Sequence, residues 1–398
     1  MSRDAAESTG RAGSAGRAEP AGRPPSTRRV PRERPKAPSS ATATEARALL
    51  AAFTAAAGGL AVAPVVFAGR RPALSGDQGV GDVAALVAGA AALVAFAVAY
   101  RRSYTDPDRS WLAERPLWRR VLGLVALSFA HAAIAFMVTW ASFQIFQKAF
   151  MGVTLDAFAA ALLTAVSAAL ASFGSYQSGS RMDSYALSNL LATFLAAGVM
   201  TSMVTTNRSD WWEVNFSVLG SEDYGVALAF NGTLVTAGAV IALLAEYMTR
   251  DLRALDLHRL RTDGGARPSR ERPVLTCVVL VGAFLAVTGL IPVDVFMPAH
   301  NTMATSMTAV YTLLVLRAPA WLPGLSRAFY AAGFAMLGAA VVSVMLWWPL
   351  GYYNMTAMEL VVAGVILAWL VLFTRNVAAA LEDARTFGNG PEGKLASN

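Results

Sequence analysis

The sequence predicts an all-α, polytopic transmembrane helical bundle of about ten spans, and three observations predict it. Only 15% of the 398 residues are charged while 55% are hydrophobic, giving a mean hydropathy of +0.46. A soluble globular chain carries about 25% charged residues. The apolar residues fall in blocks of roughly 20, the length a helix needs to cross about 30 Å of hydrocarbon. The arginines gather in alternate connections between those blocks, as the positive-inside rule requires.

The elements follow in chain order. Residues 1–44 are rich in Ala, Gly, Ser, Pro and Arg and almost free of large apolar side chains. Such a segment buries too little surface to offset its ordering entropy, so a disordered basic cytoplasmic tail is expected. The spans are then read at 49–68, 83–100, 121–146, 153–175 and 185–205, followed by 225–248, 274–292, 301–316, 328–347 and 356–374. Each is expected to be helical, because lipid offers no partner to an unpaired backbone group. Barrel strands would alternate polar and apolar residues over about 10 positions, and these runs do not. The first block follows a basic tail and contains Gly58, Gly59 and Pro64. It exceeds the ~7–15 apolar residues of a signal peptide and is read as a retained helix.

With both termini inside, the connections facing the cytoplasm (101–120, 176–184, 249–273, 317–327) hold sixteen Arg or Lys. Those facing out (69–82, 147–152, 206–224, 293–300, 348–355) hold four, Arg70 and Arg71 among them. Trp111 and Trp118 sit at the inner helix ends, and Trp211, Trp212, Trp347, Trp348, Tyr352 and Tyr353 at the outer ones, as interfacial anchors do. Four segments result: the tail 1–44, a four-helix bundle 45–180, a six-helix unit 181–376 and a cytoplasmic C-terminal tail 377–398. Thirty arginines against three lysines, with abundant Ala, point to a GC-rich bacterial genome and hence to the plasma membrane.

Composition also argues against several functions. The net charge of +7 resides in loops and tails, and no basic helix or aromatic-interleaved patch remains for nucleic acid. The single Cys277 forms no internal disulfide. No zincin, P-loop or nucleophile-elbow motif stands in a suitable context. The three histidines, His131, His258 and His300, fall at three different depths, so no metal site and no cofactor is expected.

An ionisable residue inside a span is a functional candidate by default. His131 lies mid-span and Asp156 at the outer start of the fourth span. Glu359 stands about one turn into the tenth. Glu246, close to Arg250, reads as half of an interfacial ion pair. Asn189 and Asn231 read as interhelical hydrogen-bonding residues. On the outer side Asp294 and His300 occupy the connection GLIPVDVFMPAH (289–300), stiffened by Pro292 and Pro298. With Glu359 they are the candidate binding residues, and a carboxylate beside His300 would raise that histidine's pKa.

The second half resembles the bacterial membrane family catalogued as domain of unknown function 998. The resemblance covers about 185–374 and rests on NFSVLG at 215–220, the pair Phe230–Asn231, the segment at 289–300, and Glu359. It implies a six-helix unit whose distinctive residues gather on the outer face, and it implies no reaction. Three functions are therefore weighed. The first is movement or sensing of a small solute or lipid at an outward-facing polar site. The second is a structural or regulatory subunit, homo- or hetero-oligomeric, working through small-residue helix faces in the lipid bilayer. The third is an outer-leaflet lipid-modifying enzyme.

Overall fold

The computed structural model describes residues 40–76, 78–262 and 267–388, and what was expected of residues 1–39 and 389–398 lies outside them. The first four long helices are α1 (Ser40–Val66), α2 (Val80–Arg102), α3 (Leu117–Ala149) and α4 (Ala157–Ser180). Next come α5 (Ser184–Thr205), a single turn α6 (Trp211–Val214), α7 (Tyr224–Thr262) and α8 (Glu271–Leu290). The chain ends with α9 (Val293–Trp321), α10 (Arg327–Trp347) and α11 (Met355–Gly388). Among the described residues nothing forms a strand beyond one isolated bridge, Ala73 to Thr154. Nine of these helices are long and apolar enough to cross a membrane. α9 is the tenth long helix, diluted by Asn301, Thr302, Thr305, Ser306 and Thr308. The chain is a multi-pass, all-α membrane protein.

Local chemistry sets the helix starts. Asp156 caps α4 by accepting from the backbone N–H groups of Phe158 (2.8 Å) and Ala159 (2.9 Å). Asp183 caps α5 through Ala186 N–H at 2.7 Å, and Ser326 caps α10 through Phe329 N–H at 3.1 Å. Each cap satisfies a donor that the first turn leaves orphaned.

The boundaries differ from the sequence reading in four places. α1 begins at Ser40, so the stretch 40–44 assigned to the tail is already helical. α7 runs on to Thr262, which turns much of the connection 249–273 into helix. Its 39 residues span roughly 58 Å at 1.5 Å per residue, so it projects well beyond a core about 30 Å thick. The connection 293–300 is helical too, broken only at Phe296 (φ −156°, ψ 81°). Pro292 suits a helix start because no N–H is needed there. Pro298 cannot donate to the carbonyl four residues back, so the helix bends where that bond is missing. α11 likewise continues through 377–388.

The helices pack with α7 at the centre. α1, α2, α3 and α4 lie against one another, and α3 also contacts α5 and α7. α7 further packs on α5, α8 and α11. Its closest neighbour is α8: a Cβ built on Gly238 would lie 2.3 Å from the Gly282 carbonyl oxygen, and one on Gly282 2.6 Å from that of Gly238. Backbone-to-backbone contact of this kind is how small residues hold helices together in lipid. Leu86, Val94, Phe129, Leu170, Met200 and Val342 stay exposed on the helix flanks. Large exposed apolar side chains suit a lateral surface solvated by lipid tails.

Contacts sort the connections onto two faces. On the arginine-rich face, Arg109 donates to Ser180 O (2.7 Å) and Arg259 to Pro323 O (2.7 Å) and Gly324 O (2.6 Å). On the opposite face Leu155 N–H donates to Pro72 O (2.9 Å), and the Asn354 side chain to Trp212 O (2.8 Å). Consecutive connections therefore alternate between faces.

Candidate functional site

The site is built where the connection after α5 folds back over the bundle at the face opposite the arginines. Asn354 fixes the entrance of α11, its side chain donating to Trp212 O and accepting from Ala357 N–H at 2.9 Å. Residues Phe216–Ser221 form a 3-10 turn. Asn231 of α7 donates to Gly220 O at 2.7 Å, and Phe216 meets Phe230 edge-on at 5.1 Å between ring centroids. Gly220 is required there, since a Cβ would stand 2.5 Å from the Asn231 side-chain oxygen.

Glu359, one turn into α11, closes this arrangement. Its Oε2 accepts from Phe216 N–H at 2.5 Å. Its Oε1 meets the Ser217 hydroxyl at 3.5 Å, beyond the usual ~2.7–2.8 Å of an O–H···O bond, and the Ser217 backbone N–H also approaches the carboxylate. The carboxylate keeps acceptor capacity beyond these contacts. Glu359 borders a cavity of about 450 Å³, within the ~300–1,000 Å³ range of small-molecule sites. Ser217, Thr288, Asn301, Thr305 and Thr308 supply the other polar groups, and Glu359 is the only charged residue lining it among those described. The hydroxyls of Thr288 and Thr308 donate to their own helices, at Phe284 O (2.8 Å) and Ala304 O (3.2 Å), so they face the cavity mainly as acceptors.

A second cavity of about 610 Å³ adjoins the first. The two share Phe216, Leu234, Leu285, Met307 and Ala363 in their walls. Its lining is apolar except for Arg375 at the arginine-rich end. A third cavity, about 520 Å³, lies at the arginine-rich face between Arg109, Trp111 and Arg250 and the acids Asp183, Asp251 and Glu382. Its charges are engaged with protein: Arg109 holds Ser180 O, Asp183 caps α5, and Asp251 accepts from the Ser184 hydroxyl.

Of the three candidate binding residues, only Glu359 lines the first cavity. Asp294 is exposed on the first turn of α9. His300 is buried, its Nδ1 at 2.8 Å from Ile291 O and its Nε2 without a partner, so it fastens α9 to the end of α8. No protein-family model, no curated protein and no solved structure matches the chain.

The remaining polar candidates take structural places. His131 uses both ring nitrogens, Nδ1 with Leu127 O (2.8 Å) and Nε2 with the Ser178 hydroxyl (2.9 Å), and stacks on Phe96 at 4.0 Å. Asp156 is the α4 cap, and the N–H groups of Ala159 and Phe158 hold its carboxyl below the usual carboxylate range. Asp210 is held low in the same way by its hydrogen bond from Arg208 at 2.9 Å. Asn231 bonds to a turn and not to a helix, and Asn189 is exposed on α5. Glu246 pairs with Arg115 (2.6 Å) and Arg119 (3.2 Å). Arg250, its expected partner, lies over the Trp111 ring at 5.1 Å.

Asn301, Thr305 and Thr308 were not singled out from sequence. They stand at i, i+4 and i+7 of an otherwise apolar segment, the spacing of one helix face.

Proposed function

We propose that this chain is a bacterial plasma-membrane protein that moves or senses a small solute or lipid through the cavity at Glu359. We place the arginine-rich face and both termini in the cytoplasm, on the sixteen-to-four charge asymmetry. The cavity then faces outward. The observation that carries the reading is a single carboxylate, held by one short hydrogen bond, in a cavity whose other polar groups are uncharged. Such a group selects a ligand by donating capacity, because an uncompensated buried acceptor is costly.

The residues behind the resemblance to domain of unknown function 998 support the reading. Phe216, Ser217, Phe230 and Glu359 line this one cavity, and Asn231 holds the turn above it. The shared signature then marks a binding unit formed by the second half of the chain.

Complementation of a deletion strain tests the proposal. Glu359→Gln and Asn301→Ala should insert normally yet fail to restore the deletion phenotype, and Asp294→Asn should restore it. Full function of Glu359→Gln in every condition where the deletion has a phenotype would refute the site.

A second reading, a subunit acting through helix contacts, draws on Asn189, exposed on α5 with Thr193 and Ala196 on the same side. A polar side chain facing lipid gains from a partner helix. A stoichiometric second protein retained through gentle detergent purification, and lost in Asn189→Leu, would favour it.

A further inference from the structure

We propose that the ligand of the Glu359 cavity is a long-chain amphiphile that reaches it sideways from the bilayer. Its tail lies in the groove between α5 and α11, and its hydrogen-bond-donating head, an ammonium or hydroxyl, meets the Glu359 carboxylate. This inference rests on the function proposed above and adds the chemical class of the ligand and its route.

Four observations carry it. First, the two cavities share five wall residues and so lie side by side, with no more than those side chains between them. Second, the apolar part opens on the flank of the bundle: Ala192 and Ala196 of α5, and Leu360, Gly364 and Ala368 of α11, line it and are exposed. Flank positions within two membrane-length helices meet lipid tails, not water. Third, the groove is closed toward the arginine-rich face. There Arg375 of α11 donates to the Tyr185 hydroxyl of α5 at 2.7 Å and lies over its ring at 5.0 Å. A water-soluble solute has no polar route along this wall. Fourth, the dimensions fit a chain. From Arg375 to Leu360 α11 advances fifteen residues, roughly 22 Å at 1.5 Å each, more than half of a core about 30 Å thick. A tail lying there therefore extends past the bilayer midplane and ends beside the polar cavity.

The head follows from the acceptors. Glu359 Oε1, the Thr288 and Thr308 hydroxyl oxygens and the Asn301 amide present a wall with one negative charge and no cationic side chain. An anionic head would stand against that carboxylate with nothing to compensate it, whereas an ammonium or hydroxyl pairs with it.

Binding can be read from Trp347, which lines the same cavity. The protein in phosphatidylcholine vesicles would be titrated with hexadecylamine brominated at carbons 6 and 7, close to the head that the carboxylate holds, taking as signal the fluorescence quenching that disappears in Trp347→Phe. Saturable quenching by the long amine is expected. Hexadecanoate brominated at the same carbons and 6-bromohexylamine should bind at least tenfold more weakly. Gly364→Phe places a ring in the groove at a position where an added Cβ meets nothing within 4 Å, and should weaken the long amine at least tenfold. Ala192→Phe does the same from the α5 wall and serves if the first variant fails to fold.

If both groove variants bind as wild type while Glu359→Gln does not, the lateral route is wrong and the Glu359 site survives. Equal binding of the short amine overturns the amphiphile and leaves the site intact. Loss of a dimer on filling the groove, with binding unchanged, would assign the groove to a second copy and overturn the proposal. Unchanged binding in Glu359→Gln removes both this inference and the site beneath it.

Discussion

Replacing Gly238 by Ala should destabilise the bundle, and replacing Gly174 by Ala should stabilise it slightly, although both glycines lie inside long helices. The difference is where the new methyl group points. At Gly238 it would meet the Gly282 carbonyl oxygen at 2.3 Å, the Ala286 Cβ at 2.7 Å and the Ala286 N at 2.9 Å. Ordinary carbon contacts begin at about 3.5 Å, so α7 and α8 must separate by about 1 Å along their closest line. Overpacking of that order costs about 1–3 kcal/mol. Ala is the better helix former by about 0.8–1.0 kcal/mol, which returns part of the loss and leaves a net cost of about 0–2 kcal/mol. At Gly174 of α4 an added Cβ meets nothing within 4 Å, so only the helix preference remains. The two single-methyl substitutions should therefore differ by the overpacking cost, about 1–3 kcal/mol, with Gly238→Ala the less stable. Reversible unfolding in mixed micelles, followed by far-UV circular dichroism against denaturing detergent fraction, measures both on one scale. Equal stability of the two variants would refute the claim that α7 and α8 meet backbone to backbone.

Two further outcomes follow from the polar groups outside the spans. The Asp156 carboxyl has a folded pKa below its unfolded one, so its contribution is present above the ordinary carboxylate range and is lost as pH falls through the folded value. Thermal midpoints between pH 7 and pH 3 should consequently fall less steeply in Asp156→Asn, which still caps the helix without titrating, than in wild type; parallel curves would count against the cap. Reporter fusions placed after Trp212 and within 255–262 should report opposite compartments, the second one cytoplasmic. A shared compartment would dismantle the assignment of faces.

The architecture was legible because lipid enforces it: a block of about 20 apolar residues has one way to satisfy its backbone. The ends of the helices were not. Nothing in local composition stops α7 at Met248, since the following Thr-Arg-Asp-Leu-Arg stretch is a good helix in water and Leu252 and Leu255 find buried places. The break in α9 was half legible: Pro298 announced a disturbance but was taken for a loop, whereas one missing hydrogen bond only bends the helix at Phe296. At the site, Glu359 was legible because a carboxylate inside an apolar run has a cost that needs a reason. His300 and Asp294 were drawn in by proximity in sequence, and three-dimensional packing separated them from the cavity, one buried against Ile291 O and one exposed. The threonine and asparagine face of α9 carried the weaker signal and lies on the cavity.

The placement of the three cavities restricts what this bundle moves. Polar groups concentrate at the two faces, around Glu359 and around Arg109, Asp251 and Glu382. Between them runs the apolar groove, closed at one end by the Arg375–Tyr185 pair. An ion or a polar solute crossing this packing would shed its hydration along roughly 22 Å of hydrocarbon wall, with no side-chain charge to replace it. An apolar tail meets no such penalty, because it exchanges lipid for a lipid-like wall. Transfer of a polar head past the same wall would require α11 to part from α5, and the Arg375–Tyr185 contact is the tie that such a motion must break. On the proposal above, this conformation is the one in which an amphiphile would sit at the Glu359 end, and α11, carrying the carboxylate at one end and the tie at the other, is the element whose displacement would couple the two faces.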